Sequence, residues 1–365
     1  MRLSGSIHRF TGNFGFVAAI ALFGCSNATN DAGGPPPALD AGSLDAAVGT
    51  PSEDAASFDA AAAPAFIAHF SKADGQLPEG LWRMGAQTFV GWAPLAALET
   101  VTSSGSTQTF AALGAASNTF TLGITSNTQG DVYVGVGAAA VVGGAPASAT
   151  PVAPAPGVYV VPGDGGAPVS FSLGSNASPA MRFPNGLAFL GSDLFVADSE
   201  GIVYKVDATG AAAVWSHDPS LAPSQPACAG VVPLAIGANG IASDGANVYV
   251  TNTNYGRVLA IPIAADGSAG AVRTIAEDCA TLAGADGIAI DHDGSFLVAI
   301  NAQNRIARVQ PGGSLDVVLE GAPLDTPASL FIDEGVASRR LLITNSSFFS
   351  AADAGAPGLL ALPLP

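Results

Sequence analysis

"ANGIASDGANVYVTNTNYGRVLAIPIAADGS", residues 238–268, decides the fold. It reads as a short apolar strand, a Ser-Asp-Gly turn, an alternating strand "NVYVTN", a second turn and a third strand "RVLAIPI". A fourth strand, "VRTIA", follows at 272–276. The same succession recurs in "PNGLAFLGSDLFVADSEGIVYKVDATG" at 184–210 and "ADGIAIDHDGSFLVAINAQNRIARV" at 285–309. Weaker copies are "PEGLWRMGAQTFVGWAPLAALETVTSSGS" at 78–106, "LGITSNTQGDVYVGV" at 122–136 and "PASLFIDEGVASRRLLITNSS" at 327–347, giving six units. Four antiparallel strands repeating at roughly 40 to 50 residues are the signature of a propeller blade. The predicted fold class is therefore all-β, a six-bladed β-propeller of four-stranded antiparallel blades over residues 64–365.

One blade is short of a strand. The sixth unit stops at "GLLALPLP", its third strand, whereas "AFIAHF" at 65–70 is a strand-like run placed before the first unit. The two defects cancel if residues 65–70 supply the outer strand of the last blade. Such closure joins the ends of the ring and covers a sheet edge.

In a propeller the first strand of each blade lines the central axis, so residues just before "Gly-Leu" or "Gly-Ile" gather at one rim. In order they are Glu79, Leu122, Asn185, Asn239, Asp286 and Ala328. Four are oxygen donors, with no Lys, Arg, sulfur or imidazole among them, a set that suits Ca²⁺, Mg²⁺ or Mn²⁺. The competing reading is that Asn and Asp before Gly simply tolerate the dihedrals of a strand entry. "DHDG" at 291–294 looks more like a calcium loop, but it occupies the turn between first and second strands. Asp293 therefore reads as a hairpin residue, lacking the ligand series and closing Glu of such a loop.

The phrases "FPNGLAF" with "LFVADS", "ANGIASDGANVYVTN" and "ADGIAIDHDGSFLVAINAQNRIARV" resemble blades of the senescence-marker-protein (regucalcin)/gluconolactonase family. The same phrases also resemble NHL repeats, which bind partners without catalysis. The first resemblance implies a six-bladed propeller with one axial divalent cation, held here by Glu79, Asn239 and Asp286, with Asn185 orienting substrate. It further implies a metal-dependent hydrolase of a small lactone or ester, with Asp286 as the catalytic residue that moves the proton. "TSNTQGD" at 125–131 offers no counterpart of the arginine and asparagine that grip substrate in that family's lactonases. The second resemblance implies a non-catalytic scaffold engaging a protein or glycan of the cell envelope.

Second strands return to the same rim, where Trp92, Asp198, Asn252, Asn254, Asn301, Asn304 and Asn345 fall. Trp92, Asp198, Asn252 and Asn301 join Asn185 as expected substrate-binding residues, although loop asparagines also form turns. An insertion at 137–156 is either a lid over the tunnel or a disordered loop. Other enzyme classes find no support, since the chain has neither a Gly-x-Ser-x-Gly elbow nor a phosphate-binding Gly-Lys loop. His8, His69, His217 and His292 all fall away from the axial strand entries.

The N-terminus does not read as globular. Arg2, His8 and Arg9 precede an apolar run from Phe14 to Phe23, then "LFGC" at 22–25, which predicts an export signal over residues 1–24. "LFGC" resembles a bacterial lipobox, implying lipidation of Cys25 and an outer-membrane lipoprotein whose only membrane contact is the anchor; simple export is the other reading. Residues 25–63, rich in Ala, Asp, Gly, Pro and Ser, predict a disordered tether. A formal charge of −17 argues against nucleic acid and anionic lipid as partners. Cys228 and Cys279 then remain, as a disulfide of an exported protein or as separate thiols. The expected state is a monomer.

Overall fold

Strand-forming residues punctuated by Gly-containing turns build the whole described chain. The computed structural model describes residues 63–113, 119–138, 154–223, 228, 230–232, 234–335, 338–350 and 356–365. The signal segment, Cys25 and the tether lie outside the described residues, as does most of the 137–156 insertion.

Among the described residues, 24 strands form six four-stranded sheets, five of them in sequential order. The sixth has the order closing strand, third, second, first: Ala65–His69 lies beside Gly358–Pro363, which pairs with Arg340–Asn345 and then Pro327–Asp333. Ala65 pairs with Ala361 and His69 with Gly358, antiparallel, so the expected closure is present. The inner strands are Pro78–Met84, Thr119–Ser126, Pro184–Leu190, Ala238–Ser243, Ala285–Ile290 and Pro327–Asp333 for blades 1 to 6. Each packs on the next around the axis, and that of blade 6 packs on that of blade 1.

Every inner strand is bulged at the same place. Its register against the second strand shifts between Pro78 and Leu81, Thr121 and Ile124, Pro184 and Gly186, Ala238 and Ile241, Ala285 and Ile288, and Pro327 and Leu330. The bulge re-aims the preceding residue, and in blades 1 to 5 glycine occupies it for a steric reason, blade 6 having Ser329 there. A Cβ on Gly80 would stand 2.0 Å from the Leu122 carbonyl oxygen, on Gly123 2.1 Å from that of Asn185, and on Gly186 2.4 Å from that of Asn239. On Gly240 it would meet Asp286 O at 2.3 Å, and on Gly287 Ala328 O at 2.4 Å. The repeated "Gly-Leu/Ile" is thus the point where each of blades 1 to 5 leans on the ring residue of the next.

Apolar faces of neighbouring sheets fill the space between blades, as with Phe195, Val203, Val250 and Leu259 between blades 3 and 4. At the ring's seam, Ala68, Leu81, Val90, Trp92 and Leu359 pack as one cluster.

Candidate functional site

Because all six inner strands enter the axis after the same kind of loop, their first axial residues form one ring. Glu79, Asn185, Asn239 and Asp286 are its oxygen donors, each buried to between 2 % and 7 % exposure. Leu122 and Ala328 complete the ring and are also buried. Two positions further on, Leu81, Ile124, Leu187, Ile241, Ile288 and Leu330 form an aliphatic ring beneath the polar one. A cavity of about 90 Å³ lies among these aliphatic residues, Asn185, Asn239 and Asp286. It has room for a few waters.

In blades 3, 4 and 5 the side chain that holds the ring residue comes from just past the end of the second strand. Asn301 Nδ2 donates to Asp286 Oδ2 at 2.8 Å, Thr253 Oγ1 accepts from Asn239 Nδ2 at 2.9 Å, and Ser199 Oγ accepts from Asn185 Nδ2 at 3.3 Å. The matching residue in blade 1 is Ala93, since Trp92 pairs with Pro78 as Asn252 pairs with Ala238. Ala93 offers nothing, and Glu79 Oε2 is buried with no hydrogen-bond partner among the described residues.

Burial governs both carboxyl groups. Burial, reinforced by the charge of Asp286, pushes the Glu79 carboxyl well above the usual range. Burial likewise pushes Asp286 up to about 7, against hydrogen bonds from Asn301 and Asn239 that favour its ionised form. An unpartnered buried carboxylate oxygen, a second carboxyl near it and two amides make an all-oxygen donor set. That set fits a hard divalent cation, which would hold both carboxyls ionised.

The structure brings Glu79, Asn185, Asn239, Asp286 and Asn301 to one place. Sequence reasoning misplaced three others. Trp92 is fully buried against Phe70, ring centroids 4.6 Å apart, within the core at the seam. Asp198 is buried and accepts hydrogen bonds from the backbone N–H groups of Arg182 (2.7 Å), Phe183 (2.8 Å) and Glu200 (3.0 Å). Burial lifts its pKa to about 6 despite those bonds. Asn252 donates to the carbonyls of Ser220 and Ala222, each at 3.0 Å, and accepts from Tyr255 N–H at 3.1 Å. All three sit in the strand register one residue before the position that reaches the axis, so they face the blade interior and fasten loops. Ser199 and Thr253 were missed for the same reason. The available signal was the hydroxyl one residue past those strand ends.

Other rim asparagines also brace loops. Asn254 spans the Asn239 loop by accepting from Ile236 N–H at 2.9 Å and donating to Leu234 O at 2.6 Å. Asn345 grips Asp325 N–H, Pro323 O and Ala356 O. Asn304 accepts from Thr326 N–H at 2.7 Å. Asp293 caps its turn, accepting from Ser295 N–H at 2.9 Å and Oγ at 2.6 Å, and pairs with Arg308 at 2.8 Å. The hairpin reading of "DHDG" therefore holds.

Cys228 and Cys279 form a disulfide, Cα atoms 5.2 Å apart, across 51 positions of sequence. It ties the loop that leads to Asn239 to the short helix Cys279–Leu282 that leads to Asp286. Adjacent site loops are thereby fixed to one another.

Fold and ring together define a six-bladed propeller with an oxygen-lined axial site. Residues 193–347 match the family model described as the SMP-30/Gluconolactonase/LRE-like region, so the resemblance carried by the repeats stands over blades 3 to 6. A gluconolactonase from Xanthomonas campestris superposes with a TM-score of 0.55 at 16 % identity, covering 83 % of this chain and 90 % of that one. Regucalcin from Agrobacterium tumefaciens, a calcium-binding protein, gives 0.55 at 15 % identity over 79 % of this chain and 90 % of that one. The PQQ-bound aldose sugar dehydrogenase of Streptomyces coelicolor gives 0.57 at 16 % identity, with coverages of 83 % and 98 %. These likenesses show the fold, and a fold shared with a dehydrogenase does not fix the chemistry. No curated protein matches the sequence.

Proposed function

We propose that this chain hydrolyses a small lactone or ester with a divalent cation held by Glu79, Asn239 and Asp286. The observation that carries this is Glu79 Oε2, a buried carboxylate oxygen with no partner among the described residues, beside a second buried carboxyl. A buried unpaired charge is costly, and a cation offsets that cost. The family match over residues 193–347 supports the lactonase-like reaction class.

When bound, the cation would polarise the scissile carbonyl and make a water more acidic. Asp286 accepts the proton of the attacking water and returns it to the leaving oxygen. Asn301 and Asn239 hydrogen-bond the Asp286 carboxyl and so set its direction. Asn185, tethered to Ser199, orients the substrate from the adjoining sector of the ring. The aliphatic ring lines the cavity below the polar one. Under the same proposal the protein is an exported monomer, anchored in the outer membrane by lipid on Cys25 with residues 25–63 as tether. The signal and lipobox-like sequence support that location.

Elemental analysis of the purified domain, followed by a lactone and ester panel with and without chelator, tests the reading. Bound divalent metal and chelator-sensitive turnover, both lost in Asp286→Ala, are expected. A metal-free wild type without turnover after cation is added would leave a binding scaffold for an envelope protein or glycan.

A further inference from the structure

Two second strands end in closely similar tripeptides, Thr251-Asn252-Thr253 in blade 4 and Thr344-Asn345-Ser346 in blade 6. Their hydroxyls reach the inner strand of the following blade. Thr251 Oγ1 donates to Asp286 O at 2.6 Å and Thr253 Oγ1 to Ala285 O at 2.8 Å. Thr344 Oγ1 donates to Glu79 O at 3.0 Å, and Ser346 Oγ to Pro78 O. The strands so clasped are the two that carry the carboxyl groups. In the other second strands the first of these two positions is Gly91, Gly135, Ala197 or Ala299. None of those four has a side-chain hydroxyl to donate.

Thr253 has a second task that the other three do not share. A hydroxyl has one proton, and that of Thr253 is committed to the Ala285 carbonyl. Toward Asn239, 2.9 Å away, Thr253 Oγ1 can only accept. Asn239 must therefore turn one N–H to Thr253 while its other N–H serves the Asp286 carboxyl, and both contacts direct its amide oxygen elsewhere. A carboxamide is nearly symmetric in shape, so its orientation is decided by such a network. Only the oxygen can bind a cation; an N–H group in its place would repel one.

We infer that Thr253 is a positioning residue which selects the oxygen of Asn239 as a cation ligand. This rests on the reading of the ring as a divalent-cation site. Valine matches threonine in shape but lacks the acceptor, so in Thr253→Val the amide keeps only the Asp286 carboxyl to hold its N–H group. Thr253→Ser restores the acceptor. Thr251→Val is the control, because it removes a hydroxyl of the same strand, bonded to the same neighbouring strand and to Gly240 N–H at 2.8 Å, without a contact to the Asn239 side chain.

Calorimetric titration of the chelator-treated full domain with Ca²⁺ and Mn²⁺ is the experiment, with melting temperatures in chelator measured for each variant. The expected result is about tenfold or greater loss of affinity in Thr253→Val, in keeping with other outer-shell partners of metal ligands. Thr253→Ser should stay within about threefold of wild type and Thr251→Val should lose clearly less than Thr253→Val. Unchanged affinity in Thr253→Val overturns the assignment, as do equal losses in both valine variants, which would mark general loosening of the clasp. A wild type that binds neither ion overturns the cation reading itself and this inference with it.

Discussion

Asn301 Nδ2 lies 2.8 Å from Asp286 Oδ2, one residue beyond the end of its strand, while with Ala93 at the corresponding place Glu79 Oε2 has no partner among the described residues. The two buried carboxyls of the ring are thus unequally supported. Their protonation should dominate how the cation-free protein responds to pH above the ordinary carboxylate range.

Asp286 is raised from 3.8 to about 7, and Glu79 is raised as well. A carboxyl whose folded pKa exceeds its unfolded one takes up its proton preferentially in the folded state. Its stabilisation is complete below the unfolded value and lost as pH climbs through the folded one. In chelator, the melting temperature should therefore fall between about pH 5 and pH 7.5. Carboxyls with lowered values, such as Asp207 and Asp266, stay ionised throughout that window. Asp198, raised to about 6, adds to the slope, so Asp286→Asn should flatten it in part. Saturating Ca²⁺ should oppose the fall. Scanning calorimetry across that range checks this, and an Asp286→Asn protein with the full wild-type slope would contradict it.

Blade number, closure and the axial ring were legible because each depends on a local pattern that repeats. "Gly-Leu/Ile" marks the bulge, and the bulge fixes which residue faces the axis. The rim was less legible because second-strand positions alternate between axis and blade interior. Asp198 and Asn252 look like site residues by type, yet a one-residue difference in register gives their work to Ser199 and Thr253. Trp92 was misplaced by the same slip, its indole filling the seam. The shared proton logic of Thr253 depends on a carbonyl from the next blade, so no pattern within blade 4 could reveal it.

The bulge glycines give a sharp steric test. Gly240→Ala would place a methyl group 2.3 Å from the carbonyl oxygen of Asp286, a backbone atom that cannot rotate away. Blade 4 must then separate from blade 5 at the ring. A loss of about 3 kcal/mol or more is expected, comparable to severe overpacking. Gly245→Ala is the contrast: it has left-handed φ of 88° but no atom within 4 Å, so strain of roughly 1 kcal/mol is its whole cost. Chemical denaturation of both variants would decide the matter, with equal losses counting against the ring-contact account.

Ring closure by the N-terminal strand predicts that removing residues 64–71 unfastens blade 6. The deletion exposes the edge of Gly358–Pro363 and takes away Phe70, whose ring meets Trp92 edge-on. A fall in melting temperature of roughly 5 °C or more is expected, corresponding to a few kcal/mol in a domain of this size. The exposed edge should also promote association on concentration. A deletion protein that melts like the full domain would show that the last blade holds its shape with three strands.

Ala93 offers the most direct handle on the unpartnered oxygen of Glu79. Ser199 and Thr253 show that a hydroxyl at this register reaches the ring residue of its own blade. Ala93→Ser should therefore give Glu79 a donor at the cost of one added oxygen atom. In chelator the variant should gain about 1 kcal/mol, the worth of satisfying a buried acceptor. With Ca²⁺ present the advantage should vanish or reverse, because the serine and the cation compete for the same oxygen. Melting curves with and without the ion, together with titration of cation affinity, separate the two conditions. If the serine variant is no more stable in chelator and binds Ca²⁺ as wild type does, Glu79 Oε2 does not point where its lack of a partner implies.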